Sequence, residues 1–155
     1  MERTSLITQP GERGEVGGNE RKTSGDYTIT YSVSRAEGCY EFSDGILEWK
    51  EPQGENAHLD VYVYDSRDGR FVPGLNVQAT LLDMRGGRAA AAHLPFVWHP
   101  RENHYGANVN LPEGGGRYVL QVHIDPATFV RRGKEEGNRY VTGADATFEN
   151  VRVEL

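Results

Sequence analysis

The chain has 155 residues, with 17 Lys and Arg against 23 Asp and Glu, a formal net charge of −6 and a 37% hydrophobic share. That length suits one domain with a single sizeable core, and the mixture fits a turn-rich globular protein better than a disordered one. The acidic balance, with no local Lys/Arg cluster, argues against nucleic acid as a partner, and no window approaches the roughly 18 apolar residues of a membrane-spanning helix.

Residues 1–25 are polar and rich in Gly, Glu, Arg and Asn, without a basic start followed by an apolar stretch and a cleavage site. They are expected to form a flexible leader carrying no secretion signal, ahead of a single domain over residues 26–155. From Asp26 onward, short alternating runs follow one another between turn signals. "YTITYSV" sets Tyr27, Ile29, Tyr31 and Val33 on one face, and "GCYEFSDGILEWKE" reads as a hairpin, Cys39–Phe42 and Ile46–Lys50, around Ser-Asp-Gly. "AHLDVYVYD" places Leu59, Val61 and Val63 on one side and His58, Asp60 and Tyr62 on the other. "LNVQATLLD" aligns Leu75, Val77, Ala79 and Leu81. Only "MRGGRAAAAHL" has helix-like composition, and its Gly pair suits a loop leading into a strand equally well. "GGG" at 114–116 reads as a hairpin turn. "RYVLQVHID" then turns Tyr118, Leu120, Val122 and Ile124 inward and Gln121 and His123 outward, and "ATFENVRVEL" closes the chain as a strand. Seven or more strands without a helical crossover require antiparallel pairing, hence an all-β fold, an immunoglobulin-like antiparallel β-sandwich.

The chemistry-bearing residues are the histidines. His58 and Asp60 lie two apart on one strand face, where an imidazole and a carboxylate can share an ion, although such a pair is also common on a half-solvated polar face. His99 and His104 flank "HPRENH", in which Pro100 rules out a helical pair of ligands, so the two rings meet only if the loop folds back on a strand end. His123 sits on the polar face of its strand. His93 follows four alanines without polar company and is left out of any site.

From "NAHLDVYVYDSRDGRFVPGLNVQATLLD" through "HYGANV" to "GGGRYVLQVHI" and "VRRGKEEGNRY", residues 57–155 resemble the periplasmic iron-transport (Fe2+ transport protein) family. The most specific element is "HYGANV", which matches that family's H-Y-G-A-N signature, and His58 and Asp60 match its H-x-[DE] strand element. The resemblance implies a non-catalytic protein that binds a divalent transition metal, iron or copper, with zinc or manganese as further candidates. It implies a periplasmic or extracytoplasmic setting, which the leader does not announce, leaving the cytoplasm open. Its implied partners are the metal ion, a membrane iron permease and a second copy in a homodimer. The family's ligand set also has a methionine a few residues before H-Y-G and a histidine in a C-terminal loop. Here those stretches read "LPFVWHP" and Arg131-Arg132, and the two methionines are Met1 and Met84. The expected ligands are therefore His58, Asp60 and His104, with His99 in the methionine's place and His123 supplying the late histidine. Replacing a thioether by imidazole shifts preference from Cu(I) toward Cu(II), Fe(II), Zn(II) or Mn(II), and binding is expected to weaken below about pH 6 as imidazoles protonate.

Nothing in the sequence points to turnover. Cys39 is early and isolated, which fits neither a blue-copper loop nor an activated nucleophile, and G-x-S-x-G does not occur. The rival reading is a structural or protein-interaction β-sandwich with a vestigial histidine site.

Overall fold

The computed structural model describes residues 20–155, and over them the alternating runs become eleven strands. These are β1 (Lys22–Ser24), β2 (Tyr27–Arg35), β3 (Cys39–Ser43), β4 (Ile46–Lys50), β5 (Ala57–Asp65), β6 (Val77–Leu82), β7 (Arg88–Leu94), β8 (Phe96–Val97), β9 (His104–Val109), β10 (Gly116–Ile124) and β11 (Ala144–Val153). Antiparallel ladders join them into a five-stranded sheet, β1-β2-β5-β9-β8, a four-stranded sheet, β11-β10-β6-β7, and a separate two-stranded sheet, β3-β4.

The two larger sheets pack as an immunoglobulin-like sandwich because the period of two leaves each with one apolar face. Ile29, Leu59, Val61 and Val63 from one sheet and Leu81, Leu120, Val122 and Ile124 from the other share one core. Full burial of such side chains contributes roughly 1.5–3 kcal/mol each. Tyr31 and Phe148 meet across the layers with ring centroids 4.7 Å apart. Tyr105 pins the β5–β6 connection: its hydroxyl donates to the Val72 carbonyl at 2.6 Å and accepts from the Leu75 N–H at 3.1 Å.

Several expectations are corrected. Residues 22–24, placed in the leader, form β1 and pair with β2, so the ordered sandwich begins before Asp26; residues 1–19 of the leader lie outside the described residues. Of the two readings left open for the alanine run, the loop leading into a strand is the one observed. Asp83 Oδ1 accepts the N–H groups of Arg85 and Gly87, both at 2.9 Å, closing a turn that returns the chain along β6, and this pairing overrides alanine's helix preference. Gly114–Gly116 does not close a hairpin, because β9 and β10 belong to different sheets. The Ser-Asp-Gly turn stands as read, with Asp44 and Gly45 at φ 51° and 78°, the left-handed pair that a two-residue hairpin turn needs.

The long segment between β10 and β11 is tied down by charge. Arg139 is buried between Asp65, with Nη2 2.5 Å from Oδ2, and Asp26, with Nη1 2.9 Å from Oδ1. Tyr140 donates its hydroxyl to Asp65 and its N–H to Asp26, which holds its backbone at φ 61°. Burial opposes the Asp65 charge, but the hydrogen bonds of Tyr140 and Arg139 outweigh it and hold the carboxyl well below the usual range. Arg139→Ala strands a buried carboxylate and is expected to cost about 3–5 kcal/mol in urea denaturation. The loss should shrink in acid, since Asp65's contribution is present above its ordinary carboxylate range and disappears as falling pH protonates it.

Candidate metal centre

The site is built on the outer face of the five-stranded sheet. Antiparallel register sets His58 opposite Asn108 and Asp60 opposite Gly106, and β8 sets Val97 opposite His104. The alternation that sends Leu59 and Val61 into the core sends His58, Asp60 and Tyr62 outward, but this face is not the solvated one that alternation suggests. The β3–β4 hairpin and the chain from Pro95 to His99 wall a groove of about 1180 Å³ over it. Within it the side chains of His58, Asp60 and His104 are only 14%, 13% and 6% exposed.

Both imidazoles meet one carboxylate oxygen. His58 Nε2 lies 2.8 Å and His104 Nε2 3.0 Å from Asp60 Oδ1, and the other carboxylate oxygen receives the Ser32 hydroxyl at 3.5 Å. The far nitrogens face oxygens that only accept. His58 Nδ1 is 2.8 Å from the Asn108 side-chain oxygen and His104 Nδ1 is 3.0 Å from the Glu102 carbonyl, so both Nδ1 atoms carry hydrogen and both Nε2 atoms point inward. Burial works against the imidazolium of His58. The hydrogen bond and charge of Asp60, with Asn108 and Glu37, outweigh it and raise the pKa to about 9. For His104 the same balance of burial against Asp60 and the Glu102 carbonyl also ends raised. Burial pushes Asp60 the other way, yet hydrogen bonds from His104 and His58 and their charges bring it down to about 2.

A cation can take the place of those protons. One ligand atom from each of His58, Asp60 and His104 lies within 4.8 Å of the others. Ligands at about 2.1 Å from an ion stand about 3.0 Å apart at right angles and about 3.4 Å apart in a tetrahedron, so the observed 2.8 and 3.0 Å contacts need to open by only a few tenths of an ångström. The glycine of "HYG" makes this possible: a Cβ on Gly106 would stand 2.4 Å from Asp60 Oδ1, in the volume the carboxylate fills.

The five residues expected at the site do not all arrive there. His99 lines the groove with its ring centroid 6.2 Å from that of His104, and its Nδ1 accepts the Arg101 N–H at 3.1 Å, which turns that lone pair away from an ion. His123 is on the outer face of the opposite sheet, between Asp145 (2.7 Å) and Asp125 (2.9 Å), so both sheets separate it from the groove. His93 is exposed on β7, away from the groove. The Arg131 found where the resemblance expects the C-terminal ligand gathers the carbonyls of Ala127, Phe129 and Arg139, a purely local task. Val97, opposite His104 in the ladder, is an apolar side chain within the stretch where the resemblance expects a methionine. Residue-by-residue reading passed over Gly106, Asn108 and the buried Glu102, which receives the Tyr64 hydroxyl. Gly106 and Asn108 had a signal, since they stand two and four residues from His104 and share its strand face.

The model of the family described as Fe2+ transport protein matches residues 57–154. The chain belongs to the Fe2+ transport protein family. Solved structures similar to this Fe2+ transport family member include FetP of uropathogenic Escherichia coli strain F11, with 22% identity, TM-score 0.71 and coverage of 90% of this chain and 96% of that one. Copper-reconstituted P19 of Campylobacter jejuni aligns at 18% identity and TM-score 0.69 over 92% of this chain and 99% of that one. A copper-bound P19 variant with isoleucine in place of a methionine aligns at 18% identity and TM-score 0.70, over 89% and 97%. At these identities the likeness is one of fold. No curated protein matches this family member's sequence.

Proposed function

We propose that this protein binds a divalent transition metal as cargo, iron or copper, without catalysing a reaction, and that His58, Asp60 and His104 hold the ion. The observation that carries this is the convergence of two Nδ1-anchored imidazoles on one buried carboxylate oxygen. Membership of the Fe2+ transport family supports iron, and the copper in P19 supports copper. An N2O donor set suits Fe(II) and Cu(II), with Zn(II) and Mn(II) as competitors, better than Cu(I). The missing methionine does not argue against copper, since copper is bound in a P19 variant that lacks one of its methionines. Among the described residues Glu37, Glu41, Glu51 and Glu55 line the groove against Lys50, giving the entrance the sign that draws cations. His99 is a wall residue that can join the ion only by releasing the Arg101 N–H. The family supports work beside a membrane iron permease. The exposed Tyr40, Phe42, Ile46, Leu47 and Trp49 of the hairpin offer an apolar surface that suits a homodimer.

Calorimetric titration of metal-free protein with Cu(II), Fe(II), Zn(II) and Mn(II) tests the reading. One site per chain is expected, weakened at least about 100-fold in His58→Ala and His104→Ala, a loss of about 2.8 kcal/mol. Absence of heat with every ion would return the protein to a structural or interaction role. The pH window also moves from the unperturbed expectation of about 6. Because the pKa of His58 is raised to about 9, the cation competes with a proton at any lower pH, and affinity should fall at least about tenfold per unit below that point, more steeply once His104 is protonated too. Matched titrations in two buffers of different ionisation enthalpy should show proton release at pH 7.5.

A further inference from the structure

We propose that Asn108 is the positioning residue for His58 and that its one amide also fastens the covering hairpin to the site, so that ion binding and hairpin order depend on the same side chain; the inference rests on the metal-binding reading above. Asn108 faces His58 directly across the β5–β9 ladder. Its Nδ2 donates to the Glu37 carbonyl at 2.7 Å, and its Oδ1 accepts the Glu37 N–H at 3.1 Å. A carbonyl can only accept and an N–H can only donate, so the backbone of Glu37 determines which end of the amide is oxygen. That oxygen is the atom 2.8 Å from His58 Nδ1, which must therefore carry the hydrogen and leave Nε2 to the ion.

His104 receives equivalent service from the Glu102 carbonyl, within its own loop. The Asn108 arrangement differs because its other partner is the root of the hairpin. The Ala36 N–H bond to the Asn56 carbonyl, 3.1 Å, holds the chain to the sandwich as it leaves β2, and Glu37 follows at once. Next comes Gly38, against which the Trp49 ring of β4 is packed so closely that a Cβ would stand 2.4 Å from a ring carbon. Tyr40 meets the same ring at a centroid distance of 5.0 Å. A shift of the Asn108 amide is therefore felt on one side at the His58 ring and on the other at a residue adjoining the packed hairpin.

Two substitutions separate the two tasks. Asn108→Ala removes both and is expected to lower Cu(II) affinity about 10–100-fold, the usual cost of losing a partner behind a ligand. It should also speed amide exchange at Glu37 and across Cys39–Ser43 and Ile46–Lys50 at least about tenfold in metal-free protein. Asn108→Asp keeps an acceptor for His58 but sets a carboxylate against the Glu37 carbonyl, so Cu(II) affinity should return to the wild-type level or above while hairpin exchange stays fast. In Asn108→Ala, wild-type exchange rates overturn the proposal whatever the metal does, and fast exchange with wild-type affinity overturns the positioning of His58; in Asn108→Asp, slow exchange overturns the fastening of the hairpin. Should the wild-type protein itself take up no Cu(II), the metal reading and the positioning of His58 fall together, while the exchange rates still decide whether Asn108 fastens the hairpin.

Discussion

Gly106→Ala is expected to abolish ion binding while leaving a folded sandwich. The new Cβ would lie 2.4 Å from Asp60 Oδ1, 3.2 Å from the Leu59 carbonyl and 3.3 Å from His104 Cδ2. The backbone carbonyl cannot give way without breaking the ladder, so the Asp60 carboxylate must swing off the point where both imidazoles meet. Overpacking of this kind typically costs about 1–3 kcal/mol, which a buried sandwich core can absorb. Metal binding cannot absorb it if the proposed assignment holds, because the displaced group is then a ligand and the anchor of the other two. Calorimetry with Cu(II) should show a loss of at least about 100-fold, beyond the ~10–100-fold cost of losing a partner behind a ligand. Circular dichroism and a thermal melt should show an intact β-sheet. Affinity within threefold of wild type would mean that Asp60 is not where the ion sits.

Asp60→Asn removes the charge and keeps the shape. Two imidazoles then share a neutral amide, and His58 should titrate well below its present value of about 9, which histidine NMR can follow directly. Stability should change with pH in a defined sense. His58's raised pKa contributes stability that is complete below its ordinary 6.5 and lost as the pH rises through about 9. Asp60's lowered pKa contributes stability present above its ordinary 3.8 and lost as the pH falls through about 2. Wild type should therefore exceed Asp60→Asn by about 2–3 kcal/mol between roughly pH 4 and 6.5, with the gap closing above about 9. A gap that is flat with pH would show that the carboxylate acts by packing alone.

The contrast between the residues read correctly and those misplaced has a physical basis. A strand's period is local, so His58 and Asp60 on one face, Leu59 and Val61 on the other, and Gln121 and His123 turned outward were all legible from the sequence. Which strands become neighbours is not local. His104 reaches Asp60 because β9 pairs with β5, whereas His123, on an equally polar face, lies on β10 in the other sheet. The burial of the site was hidden for a similar reason. Its cover comes from a hairpin that pairs with neither large sheet, and no pattern within β5 records what lies above it. The alanine run had the composition of a helix and the pairing partner of a strand, and the partner decided. "HYGANV" was recognisable as a motif, but its glycine and asparagine acquire meaning only with the register that sets them against Asp60 and His58.

Because β3 and β4 bond only to each other among the described strands, the groups proposed to hold the ion and those that roof them belong to different ladders. Lifting the roof breaks no rung of the sandwich. On the proposed metal-binding reading, a change within the hairpin can alter how easily an ion comes and goes while every ladder that carries the fold stays intact.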